Sequence, residues 1–385
     1  MLQTAEPLQA GEVALAHHWM EFFRGGEAVL EQFCLLFPQA PLSVMVYDNQ
    51  HLPESISRHS FNPSFLQNLA VTRRHFRKLL PFFPEVVGSM KVADTARFVF
   101  TSDASLMKGI GMPRDAVHVC YCHSPPRYLW GLEEAYLKSS NHGGWLGHQV
   151  FTAAMPRLRR FDRKVAQRVD RFIANSECVR ARIAQCYDRE SEVIHPPVNI
   201  DGFDWTRPRE DFYLIVSALV PYKRVDLAVD ACSRLGKRLV VIGTGPEMDD
   251  LQRRAAPGVE FLGWQSTAVV RDHFERCKAL IFPGIEDFGI TPCEAQAAGA
   301  PVVAFGDGGA LETVAEGVSG TFFAEQSVDA LAAALNRFDE GEAFAAGACR
   351  ANVVNFGPDR FRKEIKAFLA KEYPDLFRRY DWPAA

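Results

Sequence analysis

The stretch ALIFPGIEDFGITPCEAQAAGAPVVAFGDGGALETV, residues 279–314, reads as a strand, a polar loop, a helix start, a second strand and a glycine-rich turn that opens another helix. A strand, a helix and a second strand in that order form a unit of parallel sheet. The same rhythm runs upstream through FYLIVSAL (212–219), RLVVIG (238–243) and VEFLG (259–263). It also fills the first half of the chain, where VALAHHW (13–19), LSVMVYD (42–48), RFVFTS (97–102), HVCYCHS (118–124), RFIANS (171–176) and EVIHPP (192–197) read as buried strands with helices in the gaps. Prolines, a glycine and a loss of apolar periodicity mark 195–211 as a linker. The sequence therefore predicts an α/β chain of two Rossmann-like, doubly wound parallel-sheet domains, residues 1–200 and 201–357, with a closing helix pattern at 358–380. Such sheets take ligands at the carboxyl ends of their strands, so a cleft lined by the two strand-end faces is the expected site.

Composition narrows the function classes. The 385 residues are 48% hydrophobic and 23% charged, which excludes a disordered chain and suits two domains. No apolar run reaches the roughly 18 residues of a membrane span, and the opening MLQTAEPLQAGE is acidic and has no apolar signal core. A cytosolic protein is expected. Nine cysteines with no C-x-x-C pair point to reduced, mostly buried thiols. The net charge of -4 divides into +3 for residues 1–200 and -7 for the remainder, which argues against a nucleic-acid binder.

The chemistry-bearing residues fall at predicted strand ends. Glu286 lies in a loop and Glu294 eight positions later in a helix, so both carboxylates can face one ligand. Thr291-Pro292-Cys293-Glu294 also fits a capping box, a purely structural use for Glu294 that leaves Glu286 unexplained. The amides of the Phe288-Gly289-Ile290 turn would point at an anion on the helix dipole. Lys223 and Arg224 stand before a helix, where cations oppose the dipole and an anionic partner accounts for them better than solvent does. Gly243-Thr244-Gly245 resembles a dinucleotide fingerprint but lacks its third glycine, which makes a dehydrogenase the weakest reading. The turn at Gly306–Gly309 reads as structural. In the first half, Arg24-Gly25-Gly26-Glu27 is either a phosphate-facing turn or a plain strand-to-helix turn. His123 ends a strand just before Pro125, Pro126, Arg127, Tyr128 and Trp130.

The segment from Glu286 through Glu294 and on to Val314 resembles the donor-sugar motif of retaining GT-B glycosyltransferases of family 4, in particular the branch of bacterial O-antigen and exopolysaccharide mannosyltransferases. The resemblance is strongest over 212–323. It implies that Glu286 and the Phe288-Gly289 backbone contact the sugar and its phosphate, with Ile290 and Thr291 beside them, and that Glu294 holds the ribose hydroxyls. It further implies that Lys223 and Arg224 bind the diphosphate, that Gly243 and Gly245 lie near the base, and that Gly25 and Gly26 face the diphosphate from the first domain. His123 would lie near the reacting sugar, with Arg127, Tyr128 and Trp130 on the acceptor side. Two departures stand out: Ala218 and Gly131 occupy positions where many relatives carry Arg and Asp.

The resemblance also implies a nucleotide-sugar substrate, GDP-mannose in the first place, no cofactor, and a glycan or polyprenyl-linked acceptor. No D-x-D occurs, so no metal is expected on the diphosphate. A nucleotide-sugar epimerase or a noncatalytic nucleotide-sugar binder of the same fold are the rival readings. Two basic stretches, 71–87 and 155–171, either rest on anionic lipid at the inner membrane face, with Leu79, Leu80, Phe82 and Phe83 inserting, or are solvated helix faces.

Overall fold

Thirteen strands, every one paired in parallel, make up two sheets in the computed structural model, which describes residues 11–68, 76–131, 133, 144–341 and 344–383. The chain divides into two units: residues up to Pro197 together with those from Pro358 onward, and Val198–Gly357.

The first unit holds a seven-stranded sheet in the order β3-β2-β1-β4-β5-β6-β7, with β1 Val13–His17, β2 Leu42–Val44, β3 Phe61–Pro63, β4 Phe98–Asp103, β5 Val117–Cys122, β6 Arg171–Ala174 and β7 Ser191–Val193. Every residue of β1 and β4 is buried, because helices cover both faces of a parallel sheet. Side chains alternate between those faces. Val13 and Leu15 pack with Phe33, Phe98, Phe100 and Tyr121, whereas Ala14 and Ala16 pack on the opposite side with Leu80, Phe83 and Val99. The helix Pro358–Glu372 returns to the first of these clusters and buries Phe361, Ile365, Phe368 and Leu369 there. At about 1.5–3 kcal/mol per buried large apolar side chain, that docking outweighs the surface ion pairs around it.

The second unit holds a six-stranded sheet in the order β10-β9-β8-β11-β12-β13: β8 Tyr213–Val216, β9 Leu239–Ile242, β10 Val259–Gly263, β11 Ala279–Phe282, β12 Val302–Phe305 and β13 Gly320–Phe323. Two of the thirteen strands, β3 and β13, are absent from the sequence reading. Each lies at a sheet edge with one neighbour and is three or four residues long, so neither carries an extended apolar run. Eight of the nine thiols are buried, Cys178 is half-buried, and no disulfide forms among the described residues.

The membrane reading of the basic stretches needs correcting. Residues 71–75 lie outside the described residues. Leu80 and Phe83 are core residues at 1% and 0% exposure, so neither is available to insert in lipid, while Phe82 is exposed. In the second stretch, Arg157 pairs with Glu85, and Arg159 pairs with Glu133 and donates to the Leu129 carbonyl. With Arg171 on Glu372, three of the seven cations of that stretch are paired within the unit. Among the described residues no helix is long and apolar enough to cross a membrane.

A buried ionic cluster ties the loops of the first unit together. Lys108 Nζ lies 2.7 Å from Asp162 and 3.3 Å from Asp103. Asp103 accepts the amides of Ser105, Met107 and Lys108, and Asp162 accepts Trp130 Nε1 and the Tyr187 hydroxyl at 2.8 Å each. Burial works against the Lys108 charge, yet the Asp162 and Asp103 carboxylates hold its ammonium proton well above the usual lysine range. Replacing the cation strands two carboxylates in the interior. Lys108→Met should lose about 3–5 kcal/mol of stability in urea titration, and a loss under about 1 kcal/mol would show that the cluster is not held by its charges.

Candidate functional site

In the second unit the site is built where two adjacent strands, β8 and β11, reach their carboxyl ends. After β8 the chain makes a single turn, Pro221–Lys223, before the helix Val225–Leu235. After β11 it passes Pro283 and Gly284 to reach Glu286. The two exits come together at Gly284. A Cβ on that residue would lie 2.9 Å from both Cα and O of Lys223, closer than real Cβ contacts allow, so a glycine there lets the backbones touch. Lys223 and Glu286 then form an ion pair, 22% and 17% exposed, and the Lys223 ammonium sits 5.5 Å from the centre of the Tyr222 ring.

The acidic loop is backed by the turn at Gly306–Gly309. The Gly309 amide donates to the Glu286 carbonyl over 2.8 Å. A Cβ on Gly309 would collide with the Phe288 backbone, and one on Gly308 would come 2.6 Å from the Glu286 carbonyl oxygen. The Phe288 ring is buried against Phe356, which leaves its backbone rather than its ring to face a ligand.

The helix after this loop starts earlier than a capping box would place it. It spans Ile290–Ala297, with Gly289 as N-cap at φ 95°. Thr291 is therefore inside the first turn and Glu294 is its fifth residue, beyond the reach of an N-terminal amide, so the capping use of Glu294 is removed. Burial pushes the Glu294 carboxyl up to about 7.

Three residues placed on the donor side have other occupations. Arg224 adopts the left-handed conformation at φ 53° and turns its guanidinium onto Asp226, with contacts of 3.1 and 3.2 Å. Its charge is spent locally. Gly243 and Gly245 are glycines because their backbones press on Ser217 and Leu219, where a Cβ would collide with the carbonyl oxygens. Close approach to the protein's own chain accounts for both glycines.

In the first unit, the helix Gly25–Leu36 begins at the paired glycines, and Glu27 reaches back to accept the Arg24 amide at 3.0 Å. Gly26 faces a group of imidazoles: a Cβ there would stand 3.8 Å from His17, 3.9 Å from His123 and 3.9 Å from His18. His17 and His123 both lie against the Ser102 hydroxyl, at 3.0 and 2.7 Å. Arg127 is half-buried. The polar atoms of Tyr128 and Trp130, placed on the acceptor side, have partners within the unit. Tyr128 is 7% exposed and its hydroxyl bonds Ser105 at 2.7 Å, while the Trp130 indole N–H is given to Asp162 and its ring lies beneath Arg159 and Arg163. Two side chains beside His123, namely His17 and Ser102, were not singled out from the sequence. Ser102 joins His17 through the sheet register, 85 positions away, which no local pattern signals.

The raised carboxyl has a thermodynamic consequence. The folded Glu294 binds its proton more tightly than the unfolded chain does, so stability falls as pH climbs from about 4.5 to about 7 and levels off above. Glu27, likewise pushed up to about 7 by burial, acts in the same window. Glu294→Gln removes one of the two contributions. It should gain about 1–2 kcal/mol over the wild type at pH 8 and nothing at pH 4.5, and equal stability at both pH values in urea titration would refute the assignment.

Comparison with known proteins bears on the fold and on the second unit. Residues 203–352 match the family model described as Glycosyl transferases group 1. A D-inositol 3-phosphate glycosyltransferase of Mycobacterium marinum is 31% identical over 214 residues, covering 49% of this chain and 46% of its own. A GDP-mannose-dependent alpha-(1-6)-phosphatidylinositol monomannoside mannosyltransferase of Mycolicibacterium smegmatis is 29% identical over 221 residues, covering 49% and 58%. The chain thus spans about half the length of the curated relatives it matches. Among solved structures, a sucrose-phosphate synthase from Thermosynechococcus elongatus superposes with a TM-score of 0.69 at 15% identity over 94% of this chain and 99% of its own. The apo lipopolysaccharide outer core galactosyltransferase WaaB gives 0.60 at 17% identity over 93% and 99%. The chain has the two-domain, Rossmann-like GT-B fold, and nearly all of its second unit carries the sequence pattern of the group 1 glycosyl transferases.

Proposed function

We propose that the protein is a retaining glycosyltransferase that moves a hexose from a nucleotide sugar to a glycan or lipid-linked acceptor. The observation that carries this reading is the Lys223–Glu286 ion pair at the carboxyl ends of β8 and β11, with Glu294 on the helix that follows. A sugar nucleotide offers a matching series of groups: hydroxyls on the hexose for a carboxylate, a diphosphate for an ammonium, and ribose hydroxyls for a second carboxylate. Lys223 would neutralise the departing diphosphate, where one well-placed cation is worth several kcal/mol. The amides at the start of the helix Ile290–Ala297 would add their partial positive charge. Glu286 would orient the sugar hydroxyls and stabilise the oxocarbenium-like state. The leaving phosphate itself takes the acceptor's proton, so no strong protein base is needed at the reacting carbon.

GDP-mannose is the donor we propose, on the sequence resemblance and on the mannosyltransferase relative, whose name states that dependence. Surface polysaccharide assembly on the cytoplasmic face is the matching role. Incubating the protein with radiolabelled GDP-, UDP- and dTDP-sugars and a panel of lipid-linked and free glycan acceptors tests the reading. Lys223→Ala and Glu286→Gln should each lower kcat by at least about 100-fold, and Glu294→Ala should raise the donor KM about tenfold or more. Full activity in Lys223→Ala would overturn the proposal.

A further inference from the structure

We propose that Ser102 is a positioning residue that joins His123 to Glu27 through His17, so that the charge on Glu27 decides which ring nitrogen of His123 carries the proton. The inference rests on the glycosyl transfer reading only for the use made of His123.

The geometry is a line of single contacts. Ser102 Oγ stands 2.7 Å from His123 Nε2 and 3.0 Å from His17 Nδ1, and the far nitrogen of His17, Nε2, is 4.0 Å from Glu27 Oε1. A serine hydroxyl has one hydrogen, so it donates to one imidazole and accepts from the other. Only two arrangements make both bonds. With Glu27 protonated, His17 Nδ1–H donates to Ser102, Ser102 donates to His123 Nε2, and His123 keeps its proton on Nδ1. With Glu27 ionised, His17 turns its N–H to Nε2 to face the carboxylate, accepts from Ser102 at Nδ1, and Ser102 accepts from His123 Nε2–H. His123 Nδ1 is then bare. Passing from the first to the second, Glu27 loses its proton and His17 takes one at Nε2, where the N–H faces the carboxylate across 4.0 Å, a charge–dipole contact and not a hydrogen bond; His17 gives the proton of Nδ1 to Ser102, Ser102 gives one to His123, and His123 releases one from Nδ1. One proton leaves the line.

The surroundings keep His17 and His18 neutral. His17 is fully buried and His18 is 8% exposed; burial first, and in His17 the neighbouring His18 and His123, hold both imidazoles below their ordinary range. His18 Nδ1 lies 3.4 Å from the Ser102 carbonyl, which only accepts, so His18 takes no part in the relay. The other charges that face these groups are Asp103 and Arg77 on His18 and Arg24 and Glu21 on Glu27. The His123 backbone is pinned, its amide donating to the Asp103 carbonyl and its carbonyl accepting Asn175 Nδ2, both at 2.9 Å. With the backbone fixed and the Glu27 carboxyl pushed up to about 7 by burial, the tautomer of His123 responds to the charge on Glu27.

Nitrogen-15 NMR of the imidazoles in the full chain reads this directly, with His123→Asn used for assignment. Between pH 5.5 and 8.5 the His123 proton should move from Nδ1 to Nε2. Glu27→Gln should hold it in one tautomer throughout, Ser102→Ala should abolish the change, and Ser102→Thr, which keeps the hydroxyl, should restore it. The pH profile of kcat should lose its limb near pH 7 in Glu27→Gln and Ser102→Ala and regain it in Ser102→Thr. An unchanging His123 tautomer in the wild type, or a switch that persists in Ser102→Ala, would overturn the proposal. A normal tautomer switch in a protein that transfers no sugar would uphold the relay and overturn the functional reading alone.

Discussion

The candidate donor site depends on a contact between two backbones. The exits of β8 and β11 meet only because Gly284 has no Cβ where Lys223 crosses it, and that crossing is what sets an ammonium beside the Glu286 carboxylate. A second layer holds the first: the Gly308-Gly309 turn presses on the Glu286–Phe288 backbone, and the buried Phe288 ring anchors the loop from below. Charge alone does not fix the geometry of this partly buried pair, since desolvating both groups offsets much of their attraction. Packing of glycine against backbone does the positioning, and the charges are available for a ligand.

Much of this architecture is written in local pattern. Runs such as VALAH and VVAF are buried on both faces and declare central parallel strands, while the spacing of the two carboxylates leaves a capping use open and takes its meaning from the family resemblance. What stays hidden has a common cause. The strands at Phe61–Pro63 and Gly320–Phe323 have too few residues for a period. Thr291 satisfies every local rule for an N-cap, yet Gly289, free to take a positive φ, starts the helix two residues sooner. Gly243 and Gly245 look like ligand-facing glycines because a close backbone approach leaves the same trace whether the approaching atom belongs to a phosphate or to Ser217. Tyr128 and Trp130, placed on the acceptor side by the resemblance, direct their polar atoms to Ser105 and Asp162, partners 23 and 32 positions away. Local rules fail here where a distant residue fills the role.

The corrected inventory changes how the negative charge of a diphosphate would be met. Arg224 is held by Asp226 and position 218 is an exposed alanine, so the side-chain positive charge at this strand end rests on Lys223. A helix N-terminus carries the equivalent of about half a positive charge, and it acts within its first turn, where Gly289, Ile290 and Thr291 lie. A lysine and a helix end together supply about one and a half charges against the roughly two of a leaving diphosphate. Near balance is what a transferase requires, because a site that over-neutralised the nucleoside diphosphate would retain it as product. Under the glycosyl transfer reading, the Arg224–Asp226 pair is then a means of keeping a second full cation off the phosphates, and the single lysine becomes a feature of release as much as of bond breaking.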